Sequence, residues 1–453
     1  MKTVIIGGLA AGMSAACKLK RIDKGHKVLV VEKGLEAAYA ACGLPYYISG
    51  ANSDRGLLLC KRPEELEQAG IKLMLGHEAV GADFVRKEMR IMNSSSGFVF
   101  PESYDNLLIA CGSVCVTPHW FDPGLRNVFC IKTLEDSELI KRAVVDEVRR
   151  VVVVGGGYIG LEMAEAFLRL KRRVTLIERE ERLLTGFDRE FSRKVFEHLS
   201  KHGVKVRLGE TVLKLEGGSA VSAVISDMGA YKADLVIVAT GMRPNTDFLA
   251  GSGVKRLENG AIVTDDRMRT SEPCVWAAGD CATVWNRVLG KNVHMPLATN
   301  AVKQGRHVAE NIMGRTRRYL NALGTVMLKV VELELGKTGV GEEEAAANGM
   351  DCASVTVAGV DCAPYYPNQG PMTAKMIFRP HDGALLGAQI IGKQGAALRA
   401  NVLAACITAG MTVKEIGELD LGCSPPYSQP CDILHLTAGA AETKRLEIKR
   451  NQE

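Results

Sequence analysis

Short apolar runs, glycine-rich turns and helix-like stretches recur in a fixed order along the chain. From residue 3, the run TVII is followed by GGLAAG, a helical stretch and the run VLVV, which ends at residue 31. From residue 151, VVVV is followed by GGGYIG, a second helical stretch and VTLI, which ends at residue 177. Uninterrupted apolar runs linked by a helix are typical of parallel strands buried on both faces of a sheet. The pattern predicts two copies of a strand–helix–strand unit in an α/β fold.

Each copy carries the features of a dinucleotide-binding turn. Glycine lets the backbone turn sharply and approach a pyrophosphate, and the start of the next helix offers unpaired N–H groups. A carboxylate at the end of the second strand binds a ribose, and Glu32 and Glu178 hold that position, 25 residues after Gly7 and 23 after Gly155. The predicted loop residues are Gly7, Gly8, Ala10, Ala11 and Gly12 in the first copy and Gly155, Gly157, Tyr158, Ile159 and Gly160 in the second.

Two dinucleotide sites in one chain indicate a flavin, FAD, that stays bound and a nicotinamide that exchanges. The carboxylate of Glu178 repels a 2′-phosphate, so NADH is the expected reductant. Arg179 and Arg182 lie beside it in the sequence, and their charge leaves NADPH open as an alternative.

Three further segments, at residues 104–113, 233–245 and 275–282, each end a buried strand in small residues and glycine. Such strands close a nucleotide domain where the chain crosses to the next one. Asp280 is a candidate ligand of the flavin's ribityl hydroxyls, with a helix N-cap as the alternative. The remaining residues that we expect to contact the cofactors are Lys33, which follows Glu32, and Ala110, Gly112, Gly241, Gly279 and Asp280 in these segments.

The 13 cysteines form no CxxC pair and no cluster with histidine at metal-ligand spacing, which indicates unpaired thiols in a reducing cytoplasm and no metal site. Cys42 follows Glu32 in YAACGLPYY, and a thiol near a flavin can become a thiolate, take up electrons and attack a sulfur–sulfur bond. The alternative for Cys42 is a small buried hydrophobic residue. Burial in the core is also the prediction for ten other cysteines: Cys17, Cys60, Cys111, Cys115, Cys130, Cys274, Cys281, Cys352, Cys362 and Cys406.

Composition narrows the classes of partner. A net charge of +5 and an aromatic content of 5% argue against nucleic acid. No run of 18 apolar residues occurs, so no membrane span is expected. The apolar N-terminus fits strand, turn and helix better than a signal peptide.

The sequence resembles the FAD-dependent pyridine nucleotide–disulfide oxidoreductases with a single redox cysteine, a group that includes coenzyme A-disulfide reductases, NADH-dependent per- and polysulfide reductases, NADH oxidases and NADH peroxidases. The resemblance rests on GGLAAG, CGLPYY, YDNLLIACGS, GGGYIGLEMAE, ATGMRPN, AAGD, PLATNAVKQGR, YYP and SPPYSQPCD. It implies an FAD-binding domain at residues 1–113 and 246–325, an inserted NAD(P)H-binding domain at 114–245 and a C-terminal α+β dimerisation domain at 326–453. It also implies that Leu297, Ala298 and Thr299 lie beneath the flavin and Glu162 near the nicotinamide.

The form CGLPYY is similar to the coenzyme A-disulfide and polysulfide reductase branch, which implies a small sulfur substrate, with a coenzyme A-linked compound as one option. The substrate contacts implied by this branch are Ser14, Lys18, Arg21 and Asn300. Ala38, Ala41, Cys423 and Cys431 replace polar contacts of that branch, which argues against coenzyme A disulfide itself. The resemblance also implies a homodimer in which the C-terminal domain of one subunit completes the thiol site of the other.

Residues expected at that dimer interface carry further hypotheses. Tyr365, Tyr366 or Tyr427 is a candidate proton donor to the leaving sulfur, with plain packing as the alternative. Cys423 or Cys431 is a candidate second thiol, with an incidental small replacement as the alternative.

Three functions stay open on the sequence. The first is transfer of electrons from NADH through FAD to Cys42 and on to a disulfide, persulfide or polysulfide. The second is an NADH oxidase or peroxidase that uses a Cys42 sulfenic acid. The third is a non-catalytic flavin module for redox sensing.

Overall fold

The computed structural model describes residues 1–451 and contains three five-stranded sheets. The elements up to residue 115 are β1 (Lys2–Ile6), α1 (Ala10–Ile22), β2 (Lys27–Glu32), α2 (Leu44–Ile48), α3 (Pro63–Gln68), β3 (Ile71–Leu75), β4 (His77–Asp83), β5 (Glu88–Asn93), β6 (Val99–Ser103), β7 (Asn106–Ile109) and β8 (Ser113–Cys115). Short 3-10 helices occupy Ala41–Gly43, Arg55–Leu58 and Asp247–Leu249.

The middle of the chain returns to strands and helices in alternation. Its elements up to residue 244 are β9 (Val128–Cys130), α4 (Leu134–Ala143), β10 (Arg150–Val154), α5 (Tyr158–Arg169), β11 (Arg173–Ile177), α6 (Arg189–Lys201), β12 (Lys205–Arg207), β13 (Val212–Gly217), β14 (Val221–Ser226), β15 (Ala230–Lys232), β16 (Leu235–Val238) and β17 (Met242–Pro244). The elements from there to residue 312 are β18 (Val275–Ala277), β19 (Thr283–Asn286), β20 (Lys291–His294) and α7 (Ala298–Ile312).

The last part of the chain places helices after an antiparallel sheet. Its elements are β21 (Val326–Val330), β22 (Leu333–Gly339), α8 (Glu342–Ala347), β23 (Ala353–Val360), β24 (Pro371–Phe378), β25 (Leu385–Gly392), α9 (Ala396–Ala409), α10 (Val413–Gly417) and α11 (Ile433–Arg450).

The first sheet is parallel and has the strand order β18-β7-β1-β2-β3. Both faces of β1 are covered, with Val4 and Ile5 fully buried, which explains the uninterrupted apolar run. The strand begins at Lys2 because that residue pairs with Lys27 at the start of β2. Since β18 joins β7 from beyond residue 274, the chain leaves this sheet and later returns to it.

The second sheet, β12-β11-β10-β16-β9, lies between those two visits and is also parallel. Its central strands β10 and β16 are buried on both faces. The chain therefore forms the second sheet between two segments that build the first, as the family resemblance implied. The third sheet, β21-β22-β25-β24-β23, is antiparallel, and α9 and α11 pack on it around Leu403 and Ala438. The predicted fold class is confirmed.

We call the parts of the chain that form the first, second and third sheets the first, second (or middle) and third regions. Ion pairs join the third region to the second. The buried Lys375 of β24 contacts Asp188, Glu190 and Glu342, and Glu165 of α5 binds Lys329 at 2.9 Å. These contacts hold the C-terminal sheet against the α5–α6 side of the middle region. In residues 1–451, no helix combines the length and the apolar character that a bilayer span requires.

Candidate active site

The first glycine loop turns between β1 and α1. Gly7 has φ of +105°, and a methyl group on Gly12 would lie 1.9 Å from the carbonyl oxygen of Gly7, so neither position accepts a larger side chain. Helix α1 has no side-chain cap and no acidic residue in its first turn. Its first N–H groups are therefore free for an anionic ligand.

Glu32 closes this loop from the end of β2. Its two carboxylate oxygens accept backbone N–H groups from Gly8 at 2.6 Å and from Gly34 at 2.8 Å. Burial raises the pKa of Glu32. Each oxygen keeps a further lone pair, so the carboxylate can still accept hydroxyl groups of a ribose.

The second loop repeats this geometry. Gly155 has φ of +112°, and a methyl group on Gly160 would lie 1.9 Å from the carbonyl oxygen of Gly155. Glu178 accepts the N–H groups of Gly156 and Glu180 at 2.5 and 2.8 Å. The same three contacts thus recur at both copies of the sequence repeat.

Gly157 lies at the start of α5 and differs from its neighbours. A methyl group there would meet no protein atom within 4 Å, and no side chain caps the helix. The glycine is thus not required by protein packing, whereas open space and free N–H groups are what a close-lying pyrophosphate needs. The residues present fit a dinucleotide at both loops.

The two arginines near the second loop both take part in ion pairs. Arg179 pairs with Glu180 at 3.0 Å, and Arg182 pairs with Glu343 at 2.5 Å. The Arg179 pair is exposed and therefore weak, whereas the Arg182 side chain is only 16% exposed and is more firmly held.

Asp280 lies where the first two regions meet. Its Oδ2 atom accepts a hydrogen bond from Ser113 at 2.9 Å and lies 3.3 Å from the Lys132 ammonium group. Lys132 also donates to Ser113 at 2.9 Å. No sequence motif includes Lys132, which follows β9, and it was therefore not predicted. Close by, Gly279 donates its N–H to Gln304 at 2.6 Å, and α7 begins after Leu297 with no side-chain cap.

Cys42 lies in the 3-10 turn that leads into α2 and is exposed in the single chain. Partial burial raises the pKa of its thiol, and the charges of Glu162 and Asp280 raise it further, while Lys132 opposes them. The thiol therefore lies within electrostatic reach of both the first and the second region.

Glu162 of α5 is one of the charged groups that act on this thiol. Burial, followed by the nearby charge of Glu165, raises the pKa of Glu162 to about 7. Tyr46 also belongs to this group, since burial and the charges of Glu162, Glu165 and Cys42 raise its pKa. The sequence missed Tyr46, although it stands within CGLPYY. With Pro45, Ser49 and Glu165, it lines a small cleft between α2 and α5.

The C-terminal candidates lie apart from this group in the single chain. Tyr365 and Tyr427 are 79% and 72% exposed, and Tyr366, Cys423 and Cys431 are exposed as well. In residues 1–451, no hydrogen bond joins any of the five to Cys42.

The loop that carries three of them is held firmly. Arg399 binds Asp432 at 2.6 Å and the carbonyl oxygen of Tyr427 at 3.0 Å, and the Cys423 thiol points at the carbonyl oxygen of Ser428 at 3.8 Å. The loop therefore presents two thiols and a phenol to solvent in the single chain.

The expected substrate contacts divide into two groups. Lys18 pairs with Glu310 at 2.7 Å, and the Asn300 side chain is buried, donating to Met295 and accepting from the Tyr319 hydroxyl at 2.9 Å. Their polar groups are used within the chain. Ser14 and Arg21 of α1 are partly or fully exposed and carry no such bond.

The prediction that ten cysteines lie in the core is wrong for most of them. Only Cys281, Cys362 and Cys406 are buried, while Cys60 and Cys274 are exposed and the other five are intermediate. Several stand at the ends of apolar strands, where the chain emerges from the sheet. A position just after or at the end of an apolar run is therefore not a reliable sign of burial for a cysteine.

Comparison with known proteins agrees with this arrangement. Residues 1–305 match the family described as pyridine nucleotide-disulphide oxidoreductase, and residues 326–432 match its dimerisation domain. NAD(P)H coenzyme A polysulfide/persulfide reductase of Pyrococcus horikoshii is 36% identical over 439 residues, which cover 96% of this chain and 97% of the relative.

Solved structures show the same likeness. The NAD-dependent persulfide reductase from A. fulgidus superimposes with a TM-score of 0.94 at 33% identity, over 98% of this chain and 84% of that one. The water-forming NADH oxidase from Lactobacillus brevis bound to NADH gives 0.93 at 30% identity, over 99% of both chains. The chain belongs to the pyridine nucleotide-disulphide oxidoreductase family.

Proposed function

We propose that this protein is an NADH-dependent flavoprotein that reduces sulfur–sulfur bonds through Cys42. The observation that carries the proposal is the position of the Cys42 thiol. Its pKa is raised by the charge of Glu162, in the proposed nicotinamide-binding region, and by that of Asp280, in the proposed flavin-binding region. The relatives named above act on polysulfide and persulfide, which supports a substrate of that class.

The residues divide the work as follows. The loop at Gly7–Gly12 with Glu32 holds FAD, and the loop at Gly155–Gly160 with Glu178 orders NADH. When bound, these two cofactors supply a pair of electrons to the thiol site. Lys33, Ala110, Gly112, Gly241, Gly279, Asp280 and the start of α7 complete the proposed cofactor contacts.

The sulfur chemistry takes place on Cys42. Its thiolate attacks one sulfur of the substrate, breaking the S–S bond and releasing one thiol or sulfide. The other half stays on Cys42 as a mixed disulfide or persulfide. Two electrons and the matching protons then return Cys42 to the thiol and release the second half.

The protonation state of Glu162 affects how easily Cys42 forms a thiolate. Glu162 raises the pKa of Cys42 only when it is ionised, and its own pKa is about 7. Protonation of Glu162 therefore makes the thiolate easier to form, which links the thiol to the pH of the site.

A homodimer follows from the dimerisation domain, and we propose that its C-terminal loop covers the thiol site of the other subunit. Support comes from the exposed, firmly held segment with Tyr427, Cys423 and Cys431, and from the exposed Tyr365 and Tyr366. One of the tyrosines would supply the proton to the leaving sulfur. The hypothesis that Cys423 or Cys431 acts as a second thiol is supported only by the exposure of these two residues.

The domain division proposed from the motifs, 1–113 with 246–325, 114–245 and 326–453, is supported by the membership of the three sheets. Residues 452 and 453 lie outside the described range. We further propose a reducing compartment, the cytoplasm, since all thirteen cysteines are unpaired.

An NADH oxidase is the second candidate function, because the L. brevis oxidase superimposes nearly as well as the persulfide reductase. In that case Cys42 would cycle through a sulfenic acid with oxygen or peroxide as the acceptor. Steady NADH consumption under air without any sulfur compound would support this candidate.

The deciding experiment is an anaerobic NADH-oxidation assay with coenzyme A disulfide, a persulfide, polysulfide and cystine as acceptors. Cys42→Ser should lose turnover of the best acceptor while it keeps its flavin. Cys274→Ser, another exposed thiol, is the matched control and should retain full turnover. Full turnover in Cys42→Ser would disprove the thiol mechanism.

A further inference from the structure

Two histidines and a glutamate meet on the side of the molecule where the second and third regions join. His198 and His202 are four residues apart, so they lie on the same face at the C-terminal end of α6. Glu332 stands in the turn between β21 and β22. None of the three belongs to the cofactor loops or to the Cys42 group.

The distances between their ligand atoms suit a small metal ion. The Nε2 atoms of His198 and His202 lie 3.4 and 3.3 Å from the same carboxylate oxygen of Glu332. All three ligand atoms lie within 4.8 Å of one another. Tetrahedral zinc, with bonds of about 2.0–2.1 Å, separates its ligand atoms by roughly 3.3–3.4 Å. The two nitrogen-to-oxygen distances match that separation.

Hydrogen bonding within the protein does not account for the cluster. The Nε2 atom of His198 is buried and has no hydrogen-bond partner, although a carboxylate oxygen of Glu332 lies 3.4 Å away. The two imidazole rings are 4.4 Å apart, which brings two like groups together without a bond between them. A cation between the three side chains would satisfy the buried nitrogen.

The surroundings hold the ligands in this arrangement. The Nδ1 atom of His202 bonds to the carbonyl oxygen of His198 at 2.9 Å, which leaves its Nε2 atom available. On the other side, the buried Glu165 accepts the N–H of Val331 and the ammonium group of Lys329, both at 2.9 Å. Val331 has φ of +59°, so the turn that presents Glu332 is tightly defined.

We propose that His198, His202 and Glu332 form a binding site for a divalent transition metal, Zn²⁺ in the first place, with water as the fourth ligand. Imidazole nitrogen and carboxylate oxygen are established zinc ligands, and a three-residue set leaves one position open. Half of Glu332 is exposed, which gives the ion and its water a path to the site. The bound metal would clamp α6 to the β21–β22 turn, independently of the sulfur chemistry.

The test compares zinc binding by the flavin-loaded protein and its variants. After removal of metal with a chelator, Zn²⁺ is added in steps, bound zinc is counted, and the melting temperature is recorded. The thirteen thiols can bind zinc as well, so the informative quantity is the difference between proteins. His198→Ala should bind one equivalent fewer than the wild type and lose the rise in melting temperature. The exposed His119→Ala is the control and should behave as the wild type.

Two further measurements make the result decisive. Glu332→Gln changes one exposed turn residue and should weaken zinc at this site by more than the roughly 100-fold that loss of an outer-shell partner costs. X-ray absorption on the wild type loaded with one equivalent should show nitrogen and oxygen ligands. Equal zinc counts and equal melting shifts in wild type, His198→Ala and Glu332→Gln would overturn the proposal, as would a purely sulfur-ligated zinc.

Discussion

Lys375 offers the sharpest test of how the C-terminal sheet is held to the middle region. Its side chain is 3% exposed, and its ammonium group lies 2.8 Å from Asp188, 2.6 Å from Glu190 and 2.6 Å from Glu342. Burial lowers the pKa of Lys375, but the bonds to these carboxylates outweigh it and raise the pKa overall. The cluster carries more negative than positive charge, which the N-termini of α6 and α8 partly offset.

Replacing Lys375 by Met keeps the apolar stem and removes the charge. Asp188 is then left 7% exposed without its cation, whereas Glu190 and Glu342, 39% and 46% exposed, can turn to water. Breaking a buried ion pair costs ~3–5 kcal/mol, and with one stranded carboxylate we expect the low end, about 3 kcal/mol.

The assay is urea unfolding of the flavin-loaded protein at one protein concentration, followed by circular dichroism. Asp188→Asn in the Lys375→Met background removes the stranded charge, so it should recover at least about 1 kcal/mol as a coupling energy. Lys414→Met, on an exposed helix position, is the control and should stay within ~0.5 kcal/mol of wild type. A loss of under ~0.5 kcal/mol for Lys375→Met would refute the reasoning.

The pH dependence of the free energy of unfolding gives an independent test of whether the Lys375–Glu342 pair is stabilising. Burial raises the pKa of Glu342, but the bonds from Lys375 and Ser354 outweigh it and lower the pKa below its ordinary 4.5. Its stabilisation is therefore complete above pH 4.5 and is lost as the pH falls through the folded value. Lys375→Met removes a bond that lowers the pKa of Glu342, so the difference in stability from the wild type should shrink in acid.

Three further predictions concern the cofactor loops and the thiol. Gly157→Ala should leave the melting temperature unchanged and raise KM for NADH, whereas Gly160→Ala should lower the melting temperature; equal effects would contradict the open space at Gly157. Glu162→Gln should lower the pKa of Cys42, measured as the pH midpoint of alkylation by iodoacetamide, and an unchanged midpoint would show that the carboxylate does not act on the thiol. Glu178→Ala should raise KM for NADH while KM for NADPH stays level or falls, and a parallel rise in both would argue against its ribose role.

The glycine loops and their carboxylates could be predicted from the sequence because their physics is local. A tight turn, a helix start and a strand end within about 30 residues leave glycine and an acidic residue at set spacing. The contacts of Glu32 with Gly8 and of Glu178 with Gly156 follow from that spacing. The insertion of one unit in another came from the family resemblance, because the repeat alone shows two units but not how their strands are shared.

The sequence predicted no metal site, because its cysteines form no cluster at metal-ligand spacing. The His198–His202–Glu332 group contains no cysteine and was not predicted. The histidine spacing is a helical signal, but Glu332 is 130 residues further along the chain and belongs to another sheet. The pairing of Arg182 with Glu343 and of Lys18 with Glu310 was hidden for the same reason. These partners are far apart in the sequence and lie in different elements.

Sequence alone therefore predicted the strand–helix–strand repeat, the family motifs and the thiol that we propose carries the chemistry. Tertiary structure decided which charges surround that thiol, which arginines remain free, and which cysteines are buried. The physical reason is that backbone turns depend on neighbouring residues, whereas burial and electrostatics depend on every element packed against a group. Lys132 beside Asp280 illustrates the second case, because only the crossing of two regions brings its ammonium group there.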